Sequence, residues 1–132
     1  MINKIIGPDG LGKFAAPLGR ILLSAIFIMA GVNKVTGYAG TQAYMESTGV
    51  PGILLPLVIV LEIGGGLAIL FGYKARLAAF LLAGFCILSA LIFHSDFSNQ
   101  TQFLFFMKNL AIAGGLLMIM ANGAGNYAID KE

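Results

Sequence analysis

Residues 52–93 read GILLPLVIVLEIGGGLAILFGYKARLAAFLLAGFCILSALIF, and this run holds only three charged side chains, Glu62, Lys74 and Arg76. Lys74 and Arg76 lie together in a short polar break that divides the run into Gly52 to Gly72 and Leu77 to Phe93, 21 and 17 residues long. At a rise of about 1.5 Å per residue, each stretch comes close to or exceeds what a ~30 Å hydrocarbon layer requires. Neither shows the two-residue alternation of a lipid-facing strand. Hydrocarbon demands that every backbone polar group be paired within the segment, so both are read as transmembrane helices.

The same reading extends in both directions, to Pro17–Val35 before the run and Phe103–Ala121 after it, each 19 residues long. Over all 132 residues, 58% are hydrophobic and 11% charged, against roughly 25% charged in soluble proteins. Mean hydropathy is +0.91. The predicted fold class is an all-α integral membrane protein, a single four-helix transmembrane bundle over residues 1–132. The first span, which runs into Asn33 and Lys34 without a small-x-small exit, is read as retained and not as a cleaved signal.

Basic residues set the expected orientation. Lys4, Lys13, Arg20, Lys74, Arg76 and Lys131 fall on one side and Lys34 on the other, which predicts cytoplasmic N and C termini. The longest connection, Thr36 to Pro51, carries Tyr38 and Tyr44. Its stretch Ala39 to Thr48 is expected to form a short interfacial helix, a lid ended by Gly49, with Pro51 opening the next span.

Composition also excludes functions. A net charge of +2 without a basic run gives nucleic acid no track of phosphate contacts. One cysteine, Cys86, supplies neither a disulfide nor a dithiol pair, and one histidine, His94, cannot supply two haem ligands. No haem, zinc or dithiol cofactor is expected, and no metal site.

What remains informative is the polar set inside the spans, because such residues are costly in hydrocarbon and usually face the protein interior. Arg20, Ser24, Phe27, Gly31 and Lys34 recur at helical spacing along one face of the first span. Glu62 lies about 15 Å into the second, with Gly65 and Gly66 on its face. Ala79, Ala83, Cys86, Ala90 and His94 line one face of the third; Lys108, Asn109, Gly114 and Gly115 belong to the fourth. LEIGGGLAIL from Leu61 and LAIAGGLLMI from Leu110 match at five of ten positions with their glycine pairs in register. Gly31, Gly65, Gly66, Gly114 and Gly115 are expected to let helices approach closely.

Threading the spans in alternating directions brings Lys34, Glu62, His94, Lys108 and Asn109 into one outward-opening polar cluster, with Asn33 beside it. Either Lys34 or Lys108 is in reach to pair with Glu62. Arg20, a secondary candidate, is expected to anchor the cytoplasmic side by snorkelling. Such a cluster relays protons, holds a quinone or another small polar ligand, or fixes helix register as a plain ion pair. Removing Glu62 alone is expected to harm folding more than removing it together with its lysine.

The runs GRILLSAIFIMAGVNKVTGYAGTQAYMESTGVP (19–51), LEIGGGLAILFGYKARLAA (61–79), FHSDF (93–97), FMKNLAIAGGLL (106–117) and GAGNYAID (123–130) together resemble the DoxX family of small bacterial inner-membrane proteins. The resemblance covers about Gly19 to Asp130. It implies a multi-pass protein of the bacterial cytoplasmic membrane with a redox-associated accessory role, binding a quinone-like ligand while a partner holds the electron-carrying cofactor. Family positions match at Gly31, Lys34, Glu62, His94, Lys108 and Asn109. The soluble domain of the thiosulfate-oxidising relatives is lacking. Besides the lipid bilayer, the expected partners are another membrane protein or a second copy of the chain. The alternatives are translocation of a small solute or proton, and a structural subunit of a larger membrane complex.

Overall fold

The computed structural model describes residues 1–130; Lys131, counted above among the basic residues, lies outside them. It is all-helical: α1 (Ile2–Ile6), α2 (Ala15–Thr36), α3 (Tyr38–Ser47), α4 (Leu55–Phe71), α5 (Ala75–Phe93) and α6 (Gln100–Asn122). Four segments are long and apolar enough to cross a membrane, and they contain α2, α4, α5 and α6. α2, α5 and α6 overrun their apolar stretches, whereas α4 falls short of Gly52–Gly72 behind a 3₁₀ turn at Gly52–Leu54, because a helix ends where its backbone is capped, not where hydropathy falls. Asn99 starts α6 ahead of Phe103 by accepting bonds from the Thr101 and Gln102 amides. The interfacial helix covers Tyr38–Ser47, one residue displaced from the expected Ala39–Thr48.

α2 alone, 22 residues and about 33 Å by helical rise, is long enough to cross the hydrocarbon. Residues 1–14 precede it as α1 and a 3₁₀ turn at Leu11–Phe14. Both ends of the chain meet at this terminal end of the bundle: Phe14 stacks on Tyr127, and the Ile129 and Asp130 amides donate to the carbonyls of Phe71 and Gly72. α3 lies at the opposite end, which we call the lid end.

The turn at Lys74 explains how α4 hands over to α5. Gly72 takes φ +69°, and the Tyr73 amide reaches back to the Ala68 carbonyl, a glycine-ended helix stop. A side chain at Gly72 would also run into Ala128 and the Arg20 guanidinium. Two constraints thus converge on one glycine.

The bundle is two close pairs, α2 with α4 and α5 with α6, joined by a lighter α4–α5 contact; α2 and α6 hardly touch. Lipid offers no hydrophobic drive between helices, so approach depends on small residues. α5 supplies them: Ala75, Ala78, Ala79, Ala83, Cys86 and Ala90 are all buried. Between α2 and α4, a side chain at Gly31 would strike Ile63, and one at Gly66 would come to 2.8 Å of Ile28 and 3.3 Å of Phe27. At Gly65 it would press on Leu82 at 3.0 Å.

The glycines of α6 are different. A side chain at Gly114 would meet nothing within 4 Å, and one at Gly115 would only come to 3.9 Å of Leu23. The expected packing role is therefore corrected for Gly114, which points away from every helix, and weakened for Gly115, which faces the loose α2–α6 side. Gly66→Ala should cost about 1–3 kcal/mol through overpacking. Gly114→Ala should be neutral or stabilising by up to about 1 kcal/mol, since alanine favours the helix. Unfolding midpoints of the two variants in detergent test this; equal losses would contradict the packing described.

Candidate functional site

The inward stripe of α2 is Arg20, Ser24, Phe27 and Gly31, all buried. Lys34, one turn further toward the lid, places its ammonium 2.8 Å from Oε1 of Glu62. Glu62 is 3% exposed, whereas the Lys34 side chain is 26% exposed. Close approach at Gly31, next to Ile63 and Glu62 Cβ, brings the two helices near enough for this pair. Among the described residues, no donor besides the Lys34 ammonium is directed at that carboxylate oxygen. The adjacent ammonium is its compensation.

The pair borders a cavity of about 640 Å³ in the lid-end half of the bundle. Asn33 and Lys34 of α2, Glu62 of α4, Cys86, Ser89 and His94 from α5 and its end, and Asn109 of α6 give it polar points. Phe27, Phe85, Ile92 and Ile112 are among its apolar walls. Asn109 Nδ2 donates to the Cys86 carbonyl at 3.3 Å, tying α6 to α5. His94 is half-buried; its Nδ1 lies 2.8 Å from Gln102 Oε1, and its ring meets Phe105 edge-on. α3 roofs the cavity with Thr41, Tyr44 and Met45, and Tyr44 stacks on Phe93 with ring centroids 5.4 Å apart.

Among the candidates named from sequence, the structure brings together Lys34, Glu62, His94, Asn109 and Asn33. It does not bring Lys108. That side chain is exposed, with its ammonium 5.8 Å from the Phe105 ring centre. Successive residues on a helix point about 100° apart. With Asn109 turned inward, Lys108 is turned away, and Lys34 is the lysine that pairs with Glu62.

Arg20 is also corrected. It does not snorkel to the surface but is 2% exposed. Its Nη1 donates to the Leu70 carbonyl at 3.4 Å, at the end of α4, and its Nη2 to those of Asn126 and Tyr127 at 2.7 and 3.1 Å. A cation at a helix C-terminus meets the negative end of the helix dipole. Arg20 clamps the terminal end shut and has no part in the lid-end cavity.

Sequence reasoning missed Gln102 and the lid side chains Thr41 and Tyr44. Gln102 sits in the first turn of α6, and the short connection from His94 was a usable signal for it. The lid contacts depend on the angle at which α3 crosses the bundle, for which the sequence carries no marker.

Four helices long enough to cross a membrane, with a buried carboxylate paired to a lysine on the wall of a largely apolar cavity, define an integral membrane protein with an internal cavity. The family model for DoxX matches residues 15–95, and the chain belongs to the DoxX family. It is similar to "Inner membrane protein YqjF" of Escherichia coli strain K12, 56% identical over 114 residues, which cover 86% of this chain and 88% of that one. "Inner membrane protein YphA" of the same organism is 31% identical over 122 residues, 87% of each chain. "Putative oxidoreductase CatD" of Bacillus subtilis strain 168 is 30% identical over 64 residues, 48% of each. No solved structure matches. The protein is a multi-pass protein of the inner membrane.

Proposed function

We propose that the lid-end cavity binds a quinone-like ligand and that the protein serves as a redox-associated accessory, its partner holding the electron-carrying cofactor. The observation that carries this reading is the buried Lys34–Glu62 pair on the wall of a largely apolar cavity. Ligand sites are of this kind: about 300–1,000 Å³, mostly apolar, with a few polar groups that fix orientation. A lysine ammonium has three donors. One faces Glu62, and the others suit a ligand carbonyl oxygen. Glu62 accepts from a ligand hydroxyl, so the pair can recognise both the oxidised and the reduced form of such a head. His94 at the cavity wall, with its Nδ1 against Gln102, can exchange hydrogen bonds with a ligand and with the lid side. In this reading the lid end faces the exterior, as the basic residues predict. The name of the Bacillus subtilis relative points the same way.

A ligand that binds only the folded state raises its stability, by about 2.7 kcal/mol at a hundredfold excess over Kd. Added decylquinone should therefore raise the melting temperature of the purified protein, and Lys34→Met or Glu62→Gln should abolish the rise. No shift for the parent protein, or the same shift in Glu62→Gln, defeats the reading. Proton flux in liposomes that disappears in Glu62→Gln would place the protein among translocators instead.

A further inference from the structure

The second cavity of the molecule, about 510 Å³, lies in the terminal half between α2 and α6. It is not independent of the first. On α2, Gly19 and Leu23 border the terminal cavity and Ile26 and Ala30 the lid-end one, at steps of four, three and four that keep one helix face. On α6, Ile119 and Gly115 border the former and Ile112 the latter, at steps of four and three. The two cavities follow one another along the same pair of facing stripes, where α2 and α6 hardly touch. Together they form a groove on the bundle's side.

Its polarity is graded. The lid-end part has Lys34, Glu62 and Asn109. In the terminal part the walls are glycine, alanine and aliphatic side chains apart from Arg20, whose guanidinium is engaged by three carbonyls. The apolar stretch from Ala30 to Gly19 runs about 16 Å by helical rise. A small solute from water has no use for it.

We infer that the ligand is a long-tailed lipid, with its small polar head at Lys34 and Glu62 and its hydrocarbon tail lying along the α2–α6 groove. This rests on the reading of the lid-end cavity given above and adds the class of ligand and its route. Because α2 and α6 do not close on each other, such a ligand enters sideways from the bilayer. The tail exchanges lipid contacts for protein contacts and gains no hydrophobic free energy inside the membrane. Its gain is the excess of dispersion contacts in the groove over those left behind among acyl chains; a net ten or so amounts to about tenfold in affinity.

The experiment uses the full chain in nanodiscs of phosphatidylethanolamine and phosphatidylglycerol, with a tailless benzoquinone, the same head bearing a decyl tail, and a decyl form with a terminal diazirine. Affinities are expressed per mole fraction in the bilayer, so that partitioning cancels. The decyl form should bind about tenfold more tightly than the tailless one. Gly115→Leu, whose added side chain has room to grow into the groove from a position 3.9 Å from Leu23, should erase that difference and leave tailless binding as it was. Gly19→Leu, at a position with no neighbour within 4 Å, should do the same. Retained tailless binding shows that either variant has folded. The diazirine should label peptides containing Leu22, Leu23 or Met118.

Equal affinity for the tailless and decyl forms, an undiminished tail effect in both variants, or labelling confined to α4 and α5 overturns the inference while leaving the head site standing. A diazirine phospholipid that labels the groove and is not displaced by the decyl ligand also overturns it, since the groove then holds bulk lipid. If neither head binds, the functional reading falls and this inference with it.

Discussion

Lys34→Met should cost about 3 kcal/mol and stand out among single changes at the lid end. It leaves the Glu62 carboxylate, 3% exposed, without the ammonium that compensates it, and stranding a buried charge is far worse than never having the pair. Glu62→Ala should cost less, about 1–2 kcal/mol, because the Lys34 side chain is already a quarter exposed and its stem can carry the ammonium outward. The double change Lys34→Met with Glu62→Gln should recover most of the loss and come within about 1 kcal/mol of the parent. Reversible unfolding of the four proteins in mixed micelles measures the order. A double variant as unstable as the sum of its singles would mean that the two groups do not interact.

The other large effect belongs to Arg20. Arg20→Met removes donors from three carbonyls, at Leu70, Asn126 and Tyr127. An oxygen left without a donor in a buried place costs about 1–3 kcal/mol, so the total should reach about 3–4 kcal/mol. The change should be local before it is global. The Ile129 and Asp130 amides, which donate to Phe71 and Gly72, should exchange with deuterium faster while the lid end keeps its protection. Arg20→Lys keeps the charge but not the fork of donors and should restore only part of the loss. If exchange at Ile129 and Asp130 is unchanged in Arg20→Met, the C-terminal segment is held by something else.

Much of this architecture could be read from residues alone, for physical reasons that can be named. A few polar side chains in a strongly apolar chain are informative because each is costly, so Arg20, Ser24 and Gly31 at helical spacing revealed the buried face of α2, and Glu62 revealed that of α4. What could not be read was rotation about the axis of α6. Lys108 and Asn109 are neighbours in sequence and both polar, yet only Asn109 turns toward the other helices, and hydropathy gives adjacent residues nearly the same weight. The paired glycines made the same point from another side. Gly65 and Gly66 meet packed side chains, while of the glycines in register with them Gly114 stands in open space and Gly115 meets only Leu23, at 3.9 Å. The difference lies in which helices close on each other, a property of the whole bundle. The partners of Arg20 were unreadable for a third reason: they are backbone oxygens, which every residue has.

The Arg20 clamp also bears on how the chain is made. Its guanidinium is synthesised early, and two of its carbonyls lie 106 and 107 residues later. Until the last segment has been made, that cation is without two of its final acceptors. A product broken off before Asn126 never acquires them. Closure of the terminal end thus depends on the last residues of the chain as much as on the first helix.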